Sequence, residues 1–305
     1  MFAIFVVAII LVASLSVAFV LLNNGKEPND NVGTISVVDD RGVTVNFTKS
    51  PKRIVSLGSS FTEIIIALNA NQTLIGVDDS SEKLVGVPSG VAKLMKPSTM
   101  SMEALLALEP DCVIIWNFGV YGNKISDMEN YSIPVVAFYP KTVNDTLSTM
   151  ARIGHMIGQD ATSLVDRLQE RFDAVIAKTK GIPESERPKV YLELASYGMS
   201  TVGNGSLSNE LIRLAGGMNI YDTDKVGGKS TWVASTEDVV HKNPQIIVVE
   251  DSSGHSTQYF YDTFKGTNAT RDEQVYRISA GTLTTSPRIV DALEDLARWF
   301  HPGLF

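Results

Sequence analysis

The strongest constraint on the fold of this chain is a phrase that it uses twice, first from Ser101 to Ile115 and again from Ser235 to Val249. Each copy has a Ser suited to cap a helix, a Glu two places on (Glu103, Glu237), an apolar stripe and a Pro that ends the helix (Pro110, Pro244). An apolar run follows in each copy, of the kind that forms a strand buried on both faces. A looser echo repeats the order strand, small-residue loop, helix: Arg53 to Leu57 leads through Gly58 to Phe61, and Lys189 to Leu194 leads through a Ser/Gly-rich loop towards Asn209. Two similar α/β lobes are implied, and two lobes leave a cleft.

The periodicity predicts a β-hairpin over 34–47 with its turn at Asp39 to Gly42, then strands at 53–57, 73–77, 112–116 and 133–138 alternating with helices near 61–69, 101–108 and 122–130. Such alternation implies a parallel sheet with right-handed crossovers. From Val143 to Lys180 the apolar residues keep helical spacing, which predicts one long stiff helix and little hinge motion. Beyond Pro188 come strands at 189–194, 245–250 and 274–278, helices at 207–215 and 236–242, a helical or irregular segment near 256–264, and a last helix from Arg288 to Phe300 opened by Pro287. The expected division is a membrane anchor or signal segment over 1–25, a first lobe over 33–142, a connector over 143–182 and a second lobe over 188–302.

At 305 residues the chain is long enough for two ordinary cores, and its net charge of −8, without clustered Lys or Arg, argues against a nucleic-acid partner. Residues 2–22 are apolar except for Ser14 and Ser16, long enough to span a bilayer core of about 30 Å. The segment reads as an uncleaved transmembrane anchor, with cleavage near Ala18 as the alternative. Sequons at Asn46, Asn71, Asn130, Asn144, Asn204 and Asn268 fit an extracytoplasmic glycoprotein. The lone cysteine, Cys112, lies within an apolar strand, so neither a disulfide nor a cysteine metal site is expected.

No catalytic set is legible. Gly227 to Ser230 resembles the tail of a phosphate-binding loop, but the required earlier glycine falls at Thr223, so a flexible basic loop is the expectation. His155, His241, His255 and His301 lack metal-ligand spacing. The expectation is a protein without enzymatic activity, cofactor or bound metal of its own.

Taken in order, Pro51 to Leu57, Thr62 and Glu63, the unit from Ser101 to Asp111, the unit from Trp232 to Pro244, and Ser286 to Arg288 with the closing helix resemble the solute-binding proteins of ABC importers that carry iron–siderophore complexes, haem and cobalamin. The resemblance covers 34–302. It implies two Rossmann-like lobes bridged by a long helix, a ligand between the lobes, and one carboxylate per lobe presented to arginines of the permease, here Glu103 and Glu237. Partners would be the permease and ATPase subunits, the ligand a ferric siderophore or other iron complex, and the protein a monomer tethered outside the cell. A corrinoid is the alternative, as is a sensory or enzymatic protein on the same fold. The cleft loops are 58–61, 116–122, 197–204, 228–232 and 279–285. The ligand contacts expected in or beside them are Ser60, Phe61, Trp116, Tyr121, Tyr197, Met199, Trp232 and Arg288, and Tyr121, Tyr197 or His255 would be the axial group for a haem.

Overall fold

The computed structural model describes residues 34–305 except 195–199. The predicted anchor and the predicted contacts Tyr197 and Met199 lie outside the described residues, among which no helix is long and apolar enough to cross a membrane.

The chain opens with an antiparallel hairpin, β1 (Ile35–Val38) and β2 (Thr44–Phe47). The first lobe then follows as β3 (Ile54–Leu57), α1 (Ser59–Ala67), β4 (Leu74–Val77), β5 (Ala92–Lys93), α2 (Met102–Leu106), β6 (Cys112–Trp116), α3 (Gly122–Asn130), β7 (Val135–Phe138) and α4 (Val143–Ile157). Its sheet is parallel throughout, in the order β5-β4-β3-β6-β7. All of β3 and β7, and β6 up to Ile115, are buried, which is why these segments read as unbroken apolar runs rather than alternating ones. Cys112 packs there as a core residue whose thiol burial pushes up in pKa.

A connector, α5 (Thr162–Thr179), leads to the second lobe: β8 (Lys189–Leu194), β9 (Ser200–Val202), α6 (Leu207–Leu214), β10 (Met218–Asn219), β11 (Thr231–Val233), α7 (Thr236–Lys242), β12 (Ile246–Glu250), α8 (Thr257–Thr263), α9 (Asn268–Arg271), β13 (Val275–Ile278) and α10 (Ile289–Phe300). This sheet is mixed. β8, β12 and β13 run parallel, β10 pairs with β8, and β9 and β11 add an antiparallel edge. The fold is therefore α/β with one large sheet in each lobe beside the β1–β2 hairpin, as the alternation of elements predicts. The stretch expected to be loop around 197–204 contains β9, and Trp232 lies in a strand rather than a loop. Gly227 and Gly228 form a two-residue turn closed by hydrogen bonds between Val226 and Lys229, not a phosphate cradle.

The single long helix over 143–180 is corrected to two. α4 is started by a capping box between Thr142 and Asp145 and stopped at Gly158, whose φ of 70° is left-handed. Gly158 N–H donates to His155 O at 3.3 Å and Gln159 N–H to Gly154 O at 2.9 Å, the bond pair that closes a helix C-terminus. Apolar spacing persists across this break because Ile157, Ala161 and Leu164 all join one core, so periodicity alone does not reveal it. α4 packs on β1 and α1 of the first lobe, whereas α5 packs on α4 and on α6 and α10 of the second. Leu164, Leu168, Phe172 and Val175 of α5 share a single buried cluster with residues of both lobes. Arg171 adds a forked ion pair from α5 to Asp291 and Glu294 of α10, at 2.6 and 2.9 Å.

At Gly158 a side chain would face both a left-handed backbone and Ser50 Oγ at 2.5 Å from its Cβ. Gly158→Ala is expected to destabilise the protein by about 1–2 kcal/mol, read as a lower urea midpoint with an unchanged slope; no shift would mean that the break does not depend on this glycine.

Candidate ligand-binding cleft

In open α/β sheets ligands bind beyond the carboxyl ends of the strands, and in the first lobe those ends carry a cluster of aromatic rings. Trp116 ends β6 and stacks on Phe118 with ring centroids 5.2 Å apart and planes 2° from parallel. Tyr121 and Tyr139 flank Phe118 at 5.7 and 5.4 Å. Phe118 and Tyr139 are exposed and Trp116 and Tyr121 half-buried, and with Tyr121 tilted and Tyr139 edge-on to Phe118 they form an angled aromatic cluster rather than a single plane. Gly58 makes the arrangement possible, since a Cβ there would collide with the Trp116 indole. Ser60 and Phe61, expected as contacts, are instead buried. Phe61 supports the platform from within, 4.6 Å from Trp116 and 5.9 Å from Phe138. Tyr139 was not among the expected contacts, although its place immediately after a buried strand marks it as a strand-end residue.

Beneath this surface lies a buried polar network. Thr62 Oγ1 bonds Ser56 Oγ at 2.8 Å and Ser81 Oγ at 3.0 Å, and Ser81 in turn donates to Asp78 Oδ1 at 2.5 Å. Burial raises the Asp78 pKa, and the hydroxyls of Ser80 and Ser81 oppose the rise. The network ties the ends of β3 and β4 together under the platform.

Arg288 is already paired. Its Nε donates to Glu63 Oε2 at 2.9 Å and its Nη2 to Glu63 Oε1, so α1 of the first lobe is bonded to the start of α10 in the second. The two residues are 225 apart in sequence, and their ion pair links the two lobes directly. Trp232 is half-buried on β11 and meets Tyr221 edge to face at 5.4 Å. Among the described residues its ring contacts do not join it to the platform around Trp116.

Buried in the second lobe is Glu193, the penultimate residue of β8. Its side chain is 0% exposed, its Oε1 has no hydrogen-bond partner, and its Oε2 accepts from Tyr191 Oη at 3.2 Å. Burial pushes its pKa up to about 7, opposed by the Tyr191 bond. No sequence pattern marked this acid, because it sits in a strand that reads as ordinary apolar core.

Glu103 and Glu237 occupy equivalent places. Each is exposed in the first turn of a short helix capped by a serine: Ser101 Oγ accepts from Ala104 N–H at 3.2 Å and Ser235 Oγ from Asp238 N–H at 3.4 Å. Both carboxylates face solvent. Among the described residues no group of His, Cys, Asp and Glu is placed to hold a metal ion.

A profile described as periplasmic binding protein matches residues 54–280, nearly all of both lobes. The chain belongs to the periplasmic binding protein family. Relatives of this periplasmic binding protein include an uncharacterized ABC transporter substrate-binding lipoprotein, YvrC, of Bacillus subtilis, 26% identical over 286 residues, covering 89% of this chain and 87% of the relative. A vitamin B12-binding protein of Pectobacterium atrosepticum is 26% identical over 221 residues, covering 69% and 76%. Among solved structures, CeuE of Helicobacter pylori in complex with Ni-His superposes with a TM-score of 0.76 at 20% identity over 90% of both chains. The haem-binding protein RhuT of Roseiflexus superposes at 0.71 with 21% identity, over 83% of this chain and 99% of its own. These structural likenesses establish the fold.

Glu193 gives a test by pH. Its folded pKa of about 7 lies above the ordinary 4.5, so the folded state holds the proton more tightly than the unfolded one. Stability from this group is complete below about 4.5 and is lost as pH rises through 7. Glu193→Gln should therefore gain stability relative to the parent protein above pH 8, by up to roughly 3 kcal/mol. Denaturant titrations at pH 5 and pH 9 measure the difference, and an equal effect at both pH values would contradict the buried-acid account.

Proposed function

We propose that this periplasmic binding protein is the extracytoplasmic solute-binding subunit of an ABC importer, that it captures a metal chelate in the cleft, and that it passes the chelate to the permease without chemistry of its own. The observation that carries the reading is the matched pair Glu103 and Glu237. A carboxylate in a helix first turn gains only about 0.3–1 kcal/mol from the macrodipole, which accounts for one such residue but not for equivalent, exposed placement in both repeats. Two fixed charges, one per lobe, are what orientation on a partner with complementary cations requires.

Phe2 to Leu22 would tether the protein to the outer face of the membrane, since Cys112 is buried in a strand and no other cysteine exists for lipid attachment. The lobes would close little on ligand, braced by α5 and by the Glu63–Arg288 pair. A ferric siderophore or other iron complex is the first ligand class. A corrinoid is the second, and two observations favour it. The platform of Trp116, Phe118, Tyr121 and Tyr139 is rich in aromatic surface, and the guanidinium of Arg288, the cation expected for an anionic siderophore, is already engaged by Glu63. The vitamin B12-binding relatives point the same way.

Glu103→Ala combined with Glu237→Ala is expected to cut uptake by about tenfold or more, with charge reversal worse than neutralisation. Affinity for cyanocobalamin or a ferric chelate, whichever the protein binds, should stay within about twofold, because neither residue lies among the platform rings. Normal uptake by the double variant would reduce the glutamates to helix caps; lost affinity in a folded variant would place them in the pocket.

A further inference from the structure

The two docking helices are too short to hold themselves in place. α2 has five residues and α7 has seven, and helices of fewer than about 12 residues are marginal in water without tertiary support. Each has one apolar side chain fully buried beneath it, Leu105 in α2 and Val239 in α7. A carboxylate that must meet a cation on another protein needs a fixed position, and the structure supplies one side-chain tether to the start of each helix.

In the first lobe the tether is Lys124. It lies on α3, directly after the platform segment that carries Trp116, Phe118 and Tyr121, and its Nζ donates to Met100 O at 3.0 Å. Met100 is 2% exposed and immediately precedes the cap residue Ser101, so the bond fixes the chain at the point where α2 begins. Met100, Leu105, Ile125 and Met128 share one buried cluster, which packs α3 against α2.

In the second lobe the tether is Tyr221. Its Oη donates to Asp238 Oδ2 at 2.7 Å, and Asp238 follows Glu237 in the first turn of α7. The ring of Tyr221 is buried, touched edge-on by Trp232 and covered by Lys242 Nζ at 4.8 Å from its centroid. Trp232 is itself only five residues ahead of Glu237 in the chain.

We propose that Lys124 and Tyr221 are positioning residues for docking: Lys124 ties the chain just before the cap of α2 to the helix that follows the platform segment, Tyr221 ties the first turn of α7 to a ring packed on Trp232, and each thereby sets where Glu103 or Glu237 stands relative to a bound ligand. The inference rests on the docking role given to the two glutamates. Neither tether touches the permease; each acts through the carboxylate beside it. That distinguishes it from a bond that merely stabilises the fold, because removing it matters for docking only while the carboxylate is present.

The test uses the full-length protein and its cognate permease–ATPase complex in nanodiscs, with affinity read by surface plasmon resonance. Lys124→Met and Tyr221→Phe should each weaken binding by about fivefold, and Lys124→Arg should restore most of the loss. In a Glu103→Ala background Lys124→Met should add nothing, and in a Glu237→Ala background Tyr221→Phe should add nothing. Amide exchange over 101–107 and 235–243 should quicken in the tether variants whether or not they dock. The proposal is overturned if exchange is unchanged there, if the losses add in full to those of the glutamate variants, or if both tether variants bind normally while the glutamate variants do not. If the glutamate variants also bind normally, the docking reading itself has failed and the tethers fall with it.

Discussion

The apolar face of α5 is shared between the two lobes, and the relation of one lobe to the other depends on that burial. Leu164, Leu168, Phe172 and Val175 contribute to a cluster that also contains Ile54 and Phe138 from the first lobe and Leu192 and Leu293 from the second. Each such side chain, fully buried, contributes about 1.5–3 kcal/mol relative to exposure, so moving the lobes apart along this seam is costly. Arg171 fixes the rotation of the helix against α10 through two carboxylates, and Glu63 with Arg288 closes a second link between α1 and α10. Val143 N–H adds a bond to Glu210 Oε2 at 3.2 Å; these links brace the lobes, and a braced cleft would let rigid aromatic rings recognise a rigid ligand at low ordering cost.

The same constraint sorts the charges. Arg288 stands where an anionic ligand would look for a cation, but its strongest partner is Glu63, whose hydrogen bonds also raise the pKa of the guanidinium. An incoming anion would have to displace a bidentate carboxylate, whereas a neutral or zwitterionic face has the aromatic platform without competition. Glu103 and Glu237, by contrast, are exposed on the serine-capped helices rather than among the platform rings. On the proposed reading, recognition of ligand and recognition of the permease would use different chemistry on different elements, with the short tethers beneath the helices connecting them.

Much of the fold was legible because buried strands of a parallel sheet are compositionally plain: Ile54 to Leu57, Cys112 to Trp116 and Ile246 to Glu250 fall where the apolar runs put them. The short strands β5, β9, β10 and β11 were not, since two or three residues carry no period. The break at Gly158 was hidden by a core that continues across it. The equivalent first-turn placement of Glu103 and Glu237 was legible through repetition, whereas a docking role for them came from the resemblance alone. Phe61 was expected to face a ligand from the loop 58–61, but a loop-to-helix boundary does not say which way a ring turns, and here it turns inward beneath Trp116. Glu193, the pairing of Glu63 with Arg288, and the tethers Lys124 and Tyr221 have no local signature; contacts between residues far apart in sequence exist only once the chain is folded.

The central claim is that the cleft holds a metal chelate and leaves it chemically unchanged. The visible absorption spectrum of the protein purified from its native host under mild conditions tests this most directly, because corrinoids, haem and ferric siderophores absorb in distinct bands. The account predicts such a band, at no more than one chromophore per chain, released intact on unfolding and diminished when Trp116 and Phe118 are replaced by Ala. A colourless protein that also fails to bind cyanocobalamin, haemin and ferric siderophores at micromolar concentration, or one that converts the released chromophore into a different compound, would contradict it.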